Sequence, residues 1–214
     1  IVQSGGCGYV RPLKEALALG EAWAKARGCD PKDLACLRAL PLERLLPEEP
    51  GLEAMGRFLS NPSLFRTGPF KPHLSPFLLP QDPREALREG KAAGIPLIAG
   101  ANAEEVAFPS LQALLGPGDW EEAERRLLES GLSREKAQAL LAHYRKGVPD
   151  PKRAWGEVQT DLTLLCPSLK AARLQAPHAP TYAYLFTFRA PGWEGLGAFH
   201  GLELAPLFGN LLER

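Results

Sequence analysis

Leu13, Ala16, Leu17, Leu19 and Trp23 recur at roughly helical spacing, with Pro12 suited to a first helical turn and Gly28 to a C-terminal stop. The pattern predicts a helix there. A second short helix is expected from Pro31-Lys32-Asp33 through Leu40 with Asp30 as its N-cap, and a third piece from about Leu42 to Leu46. Residues 61–82 are broken by Pro62, Pro69, Pro72, Pro76 and Pro80, so they read as a loop that wraps a surface or lines a pocket. Asp82-Pro83-Arg84-Glu85 joins a cap to a proline and opens a helix that ends near Gly90. Two amphipathic helices follow at about 119–130 and 133–146, the latter with Ser133 as cap and Leu140, Leu141 and Tyr144 on its apolar face. Another is expected from about Thr160 to Leu174, interrupted by Pro167.

Strand signals are fewer. Ile1-Val2 reads as the tail of a buried strand, and Ile95-Pro96-Leu97-Ile98-Ala99-Gly100 as a short buried strand closed by glycine. Thr181 to Phe188, rich in aromatic and β-branched residues, is the strongest strand of the chain. Strands separated by helices imply an α/β architecture with crossovers, and in such sheets ligands bind outside the carboxyl ends of the strands. Two glycine-flanked loops fall there: Gly100-Ala101-Asn102-Ala103-Glu104-Glu105 and Gly195-Leu196-Gly197-Ala198-Phe199-His200-Gly201-Leu202-Glu203-Leu204.

Composition narrows the function classes. The 214 residues are 45% apolar and 23% charged, enough for one substantial core. Lys+Arg and Asp+Glu balance at 25 each, so no global field recruits nucleic acid or an anionic membrane. No run of about 18 apolar residues is present to span a bilayer. Cys29 and Cys36 are close enough to close a small loop, whereas Cys7 and Cys166 read as small buried hydrophobes. No Cys-x-x-Cys or paired histidine accompanies the thiols, so no metal is expected. The chain opens on Ile1-Val2-Gln3-Ser4, neither an initiator methionine nor a signal peptide, and reads as a piece of a longer protein.

His200 carries the candidate chemistry. Histidine moves protons near neutral pH, and Gly201 lets a substrate approach the backbone closely. The segment Gly197-Ala198-Phe199-His200-Gly201-Leu202-Glu203-Leu204, followed by Phe208-Gly209-Asn210, resembles the histidine loop of the type-B carboxylesterases, the cholinesterase-like branch of the α/β-hydrolases. That family also ends a strand in Gly-x-Asn-x-Asp-Glu-Gly. Glu104 takes the aspartate position, Glu105 that of the catalytic glutamate, and Val106 departs from the glycine. Phe108 matches the aromatic that follows.

The resemblance implies a mostly parallel sheet with helices on both faces and a helical insertion. It makes residues 1–214 a partial α/β-hydrolase domain lacking its N-terminal strands, nucleophile elbow and extreme C-terminus. Glu105 would orient His200 in a Ser-Glu-His triad whose serine is not in this chain, since no Gly-x-Ser-x-Gly occurs. Gln3-Ser4-Gly5 matches the strand ending that follows the serine elbow, so Ser4 and Glu203 are expected to form buried polar support behind the triad. Cys29, with Cys36-Leu37-Arg38, stands where the family often carries a disulfide. The implied function is hydrolysis of small-molecule esters through an acyl-enzyme, with no cofactor or nucleic acid. A catalytically silent protein–protein binding domain of the same fold is the alternative. His73, His143 and His178 are read as structural or solvated.

Overall fold

A computed structural model describes residues 1–5, 8, 10–45, 72–106, 112 and 116–209. The expectations for Cys7, Leu46, Pro62, Pro69, Phe108 and Asn210 lie outside the described residues. Three parallel strands, β1 (Val2–Gln3), β2 (Leu97–Asn102) and β3 (Thr181–Phe186), form a sheet in the order β1-β2-β3. Val2 pairs with Ala99, and Ile98 and Gly100 pair with Tyr182 and Tyr184. Parallel neighbours need crossovers, and the intervening helices supply them.

Between β1 and β2 run α1 (Leu13–Ala26), α2 (Leu34–Ala39), α3 (Leu42–Leu45) and α4 (Pro83–Arg88). Asp33, not Asp30, caps α2: its side chain accepts from the Cys36 N–H at 2.9 Å. Asp30 instead accepts from Lys32 N–H at 2.8 Å in the preceding turn, which delays the helix start to Leu34. Cys29 and Cys36 are joined by a disulfide. Asp82 caps α4, as its sequence implies.

β2 begins two residues later than the apolar run and continues through Gly100. Gly100 does not end the strand. It lies so close to β3 that a Cβ there would overlap the Tyr184 carbonyl, and only glycine permits the pairing. Ala99 and Ala101 are fully buried, while Ile98 and its neighbour Tyr182 remain exposed.

From β2 the chain enters α5 (Trp120–Glu129), α6 (Arg134–Gly147) and α7 (Pro151–Thr160). Among the described residues, Ala123, Leu127, Ala137, Leu141, Tyr144, Ala154, Trp155 and Val158 make a core drawn from these three helices. The sequence pattern did not announce α7, because Gln159, Thr160 and Gly156 share its buried surface with Trp155 and blur the apolar period. Its Asp150-Pro151 start was legible. One turn of π-helix (Asp161–Leu165) joins α7 to α8 (Cys166–Gln175). Pro167 therefore does not break the helix as expected. It has no N–H and crowds the carbonyl four residues back, and the widened turn accommodates it. Cys166, expected to be buried, is exposed. Gln175 fastens the end of α8 to the approach to β2, donating to the carbonyls of Ala92 and Ile95 at 2.8 Å each. β3 stops at Phe186, short of Phe188. A 3₁₀ turn (Glu194–Leu196) and α9 (Leu204–Leu207) bracket the histidine loop.

Candidate active site

At the carboxyl end of β2 the chain turns sharply, and Ala103 N–H donates to the Phe186 carbonyl at 2.9 Å, so the ends of β2 and β3 are tied together. The turn places Glu105 at 0% exposure. A buried carboxylate is costly unless its oxygens are satisfied, and both are. Oε1 accepts from Asn102 N–H at 2.7 Å, and Oε2 lies 2.6 Å from His200 Nδ1. An ionised carboxylate can only accept, so this contact assigns the imidazole proton to Nδ1 and leaves Nε2 as a base. The backbones are joined as well, with His200 N–H donating to the Glu105 carbonyl at 3.2 Å.

Val106, the departure from the glycine expected here, is buried and does not adopt a positive φ. Its N–H donates to Thr160 Oγ1 at 3.3 Å, so the end of α7 supports the acid loop. Tertiary packing replaces the freedom a glycine would have given.

The histidine side chain is 58% exposed, whereas its Glu105 partner is fully buried. The hydrogen bond that His200 donates to Glu105 raises the histidine pKa above its ordinary value. Partial burial opposes this, and the charges of Glu105 and Glu203 add to it. Gly197 and Gly201, both at positive φ, flank the segment. Glu104 also reaches this loop. Its N–H donates to the Ala198 carbonyl at 3.1 Å, its Oε2 accepts from the Ala198 N–H at 2.7 Å, and Arg189 donates to its Oε1 at 2.8 Å.

Glu203 is buried, as expected, but its partners are Gln3 Nε2 and Asn102 Nδ2. Ser4 Oγ is buried without a hydrogen-bond partner among the described residues. Its backbone takes a positive φ and donates to the Gly100 carbonyl at 2.9 Å. Asn102 was not singled out from the sequence, yet it links the whole arrangement. Its backbone holds Glu105, and its side chain donates to Glu203 and, at 2.6 Å, to the Phe199 carbonyl. A polar residue closing an apolar strand was the available signal.

The other histidines lie elsewhere. His178 Nε2 sits 3.0 Å from the Arg88 carbonyl and packs on Gly90; His73 bonds the Leu74 carbonyl; His143 contacts the Tyr144 ring edge-on. Among the described residues no group of three metal-ligating side chains gathers, and no helix is long and apolar enough to cross a membrane. A cavity of about 530 Å³ near α1 and α8 is lined by Arg11, Arg84, Lys170 and Cys166. Cys166 is exposed as a residue, but the partial desolvation of its thiol, with the charge of Asp161 adding to it, raises the thiol pKa.

The whole chain, residues 1–214, matches the model of the carboxylesterase family. It is 27% identical over 215 residues to the para-nitrobenzyl esterase of Bacillus subtilis (strain 168), covering 100% of this chain and 42% of that protein. It is 29% identical over 123 residues to the cocaine esterase of Oryctolagus cuniculus, covering 52% and 23% respectively. Among solved structures, a PNB esterase superimposes with a TM-score of 0.68 at 26% identity over 98% of this chain and 42% of its own. A thermophilic PNB esterase does so with the same TM-score at 27% identity, over 98% and 41%. The fold is that of the α/β-hydrolases, and the chain spans about two fifths of the length of the first of these relatives.

Proposed function

The chain belongs to the carboxylesterase family, and from that premise we propose that it supplies the acid and the histidine of a serine carboxylic ester hydrolase. The Glu105–His200 pair carries the reading, through its 2.6 Å contact, its buried carboxylate and its largely exposed imidazole. Residues 1–214 form part of one α/β-hydrolase domain, and the nucleophilic serine comes from outside them.

His200 Nε2 takes the serine proton as the oxygen attacks the acyl carbon of a small-molecule ester. Glu105 holds the Nδ1 proton and stabilises the imidazolium that forms. The proton then passes to the leaving alkoxide as the acyl-enzyme appears, and water repeats the cycle to release the acid. Glu203, held by Gln3 and Asn102, adds a second negative charge behind the imidazole.

The test uses a protein that contains this chain together with a Gly-x-Ser-x-Gly segment N-terminal to it. Serine-dependent, organophosphate-sensitive hydrolysis of a short-chain p-nitrophenyl ester, lost in the serine-to-alanine variant, is the expected result. Binding of a protein partner with no ester turnover by the intact protein would replace this reading with that of a silent binding domain.

A further inference from the structure

We propose that Glu104 and Arg189 are positioning residues whose ion pair sets the placement of the histidine loop against Glu105. Three segments meet at the Glu104 carboxylate. Glu104 follows β2, Arg189 follows β3, and Ala198 lies two residues before His200. The Arg189 guanidinium straddles the carboxylate, with Nη2 2.8 Å from Oε1 and Nε 3.3 Å from Oε2, the fork geometry that fixes direction as well as distance. Oε2 also accepts the Ala198 N–H, and the Glu104 N–H donates back to the Ala198 carbonyl. Ala198 is therefore held on both sides, and it is fully buried.

The same carboxylate explains Gly197. At φ +68 this residue disfavours a side chain, and a Cβ there would overlap the Glu104 carboxylate. The loop is shaped around that group.

Arg189 is 51% exposed and Glu104 23%, so the pair adds little to global stability. Its effect is local. The polypeptide from Ala198 to His200 is short, so a shift at Ala198 is passed on to the imidazole, and misplacement of about 1 Å at a reacting group can cost on the order of 10²-fold in rate. Glu104 and Arg189 touch neither the imidazole nor its carboxylate partner through any side-chain hydrogen bond among the described contacts.

The kinetic arm of the test rests on the esterase reading; the spectroscopic arm does not. In the intact protein, Glu104→Gln, Arg189→Ala and Gly197→Ala are compared with Arg189→Lys, using a short-chain p-nitrophenyl ester. Gly197→Ala keeps both charges and displaces the carboxylate sterically. The first three should each lower kcat by on the order of tenfold with KM nearly unchanged; the melting temperature should be retained in Glu104→Gln and Arg189→Ala and fall in Gly197→Ala, whose positive φ strains any side chain, and Arg189→Lys should recover part of the loss. In parallel, the far-downfield proton resonance of His200 Nδ1–H is recorded. It should shift or broaden in the three disruptive variants and be largely restored in Arg189→Lys. Unchanged kcat in an active enzyme, or an unchanged Nδ1–H resonance, overturns the clamp. A wild-type protein without esterase activity whose resonance still responds to these substitutions overturns the function while leaving the clamp in place.

Discussion

Glu105 and Glu104 are adjacent carboxylates in different surroundings: Glu105 meets Asn102 and His200, and Glu104 meets Arg189 and Ala198. Glu105 faces His200 from a fully buried position, so Glu105→Gln should reduce kcat on the order of 10³–10⁴-fold in the intact enzyme: an amide neither holds the tautomer nor stabilises imidazolium. His200→Ala, which removes the base, should be at least as damaging. Steady-state rates with a p-nitrophenyl ester check both, and a larger loss for Glu104→Gln would reverse the assignment of the acid. A pH profile adds an independent reading. Catalysis needs neutral His200, and its pKa is raised chiefly by Glu105, so the acid limb of kcat/KM should lie above the ordinary imidazole value of about 6.5. Glu105→Gln should move that limb to lower pH. For stability the sign is opposite. A raised histidine pKa favours the folded state fully below the unfolded value, and the gain is lost as pH rises through the folded one.

At the scale of elements, the register of β2 against β3 delivers the acid loop to the histidine loop. Gly100 permits that register, because any Cβ would meet the Tyr184 carbonyl across the pair. Gly100→Ala should therefore destabilise by about 1–3 kcal/mol, read as a fall in the urea midpoint, with activity lost along with the fold. The helix beneath the acid loop depends on a smaller device. Asp150 accepts from Lys152 N–H at 3.1 Å as the cap of α7, whose far end supplies Thr160 to Val106. Asp150→Ala should cost about 1 kcal/mol and leave kcat almost intact, since the cap lies a helix length from the chemistry.

For the molecule as a whole, the fold brings Glu105 and His200 together, and the 214 residues hold no Gly-x-Ser-x-Gly segment. The 214-residue chain alone should hydrolyse activated esters no faster than background, because much of a triad's rate comes from the oxyanion hole and the nucleophile it serves. Organophosphate-sensitive turnover by the purified chain would show the site to be elsewhere. The disulfide acts at this scale too, by restricting the unfolded chain. Replacing Cys29 and Cys36 with serine should lower stability by about 2–3 kcal/mol, checked by denaturant midpoints with and without reductant.

Helix starts at Asp82 and Ser133 and the strand at Thr181 were determined by sequence alone, and the proposed pair Glu105 and His200 was legible there as two loop motifs. Caps and turns act within about four residues, and the two loop motifs carry their chemistry in the order of their residues. The tertiary structure decided what those motifs touch. Glu105 meets His200 across 95 residues, Asn102 meets Glu203 across 101, and Arg189 meets Glu104 across 85. Those distances close only because parallel pairing sets the ends of β2 and β3 side by side. The same packing moved Glu203 onto Gln3 and Asn102, let Val106 stand where glycine was expected, and carried the helix through Pro167 by a single π-turn. Each depends on a neighbour that is remote in the chain, and local sterics and hydrogen bonding do not encode that neighbour.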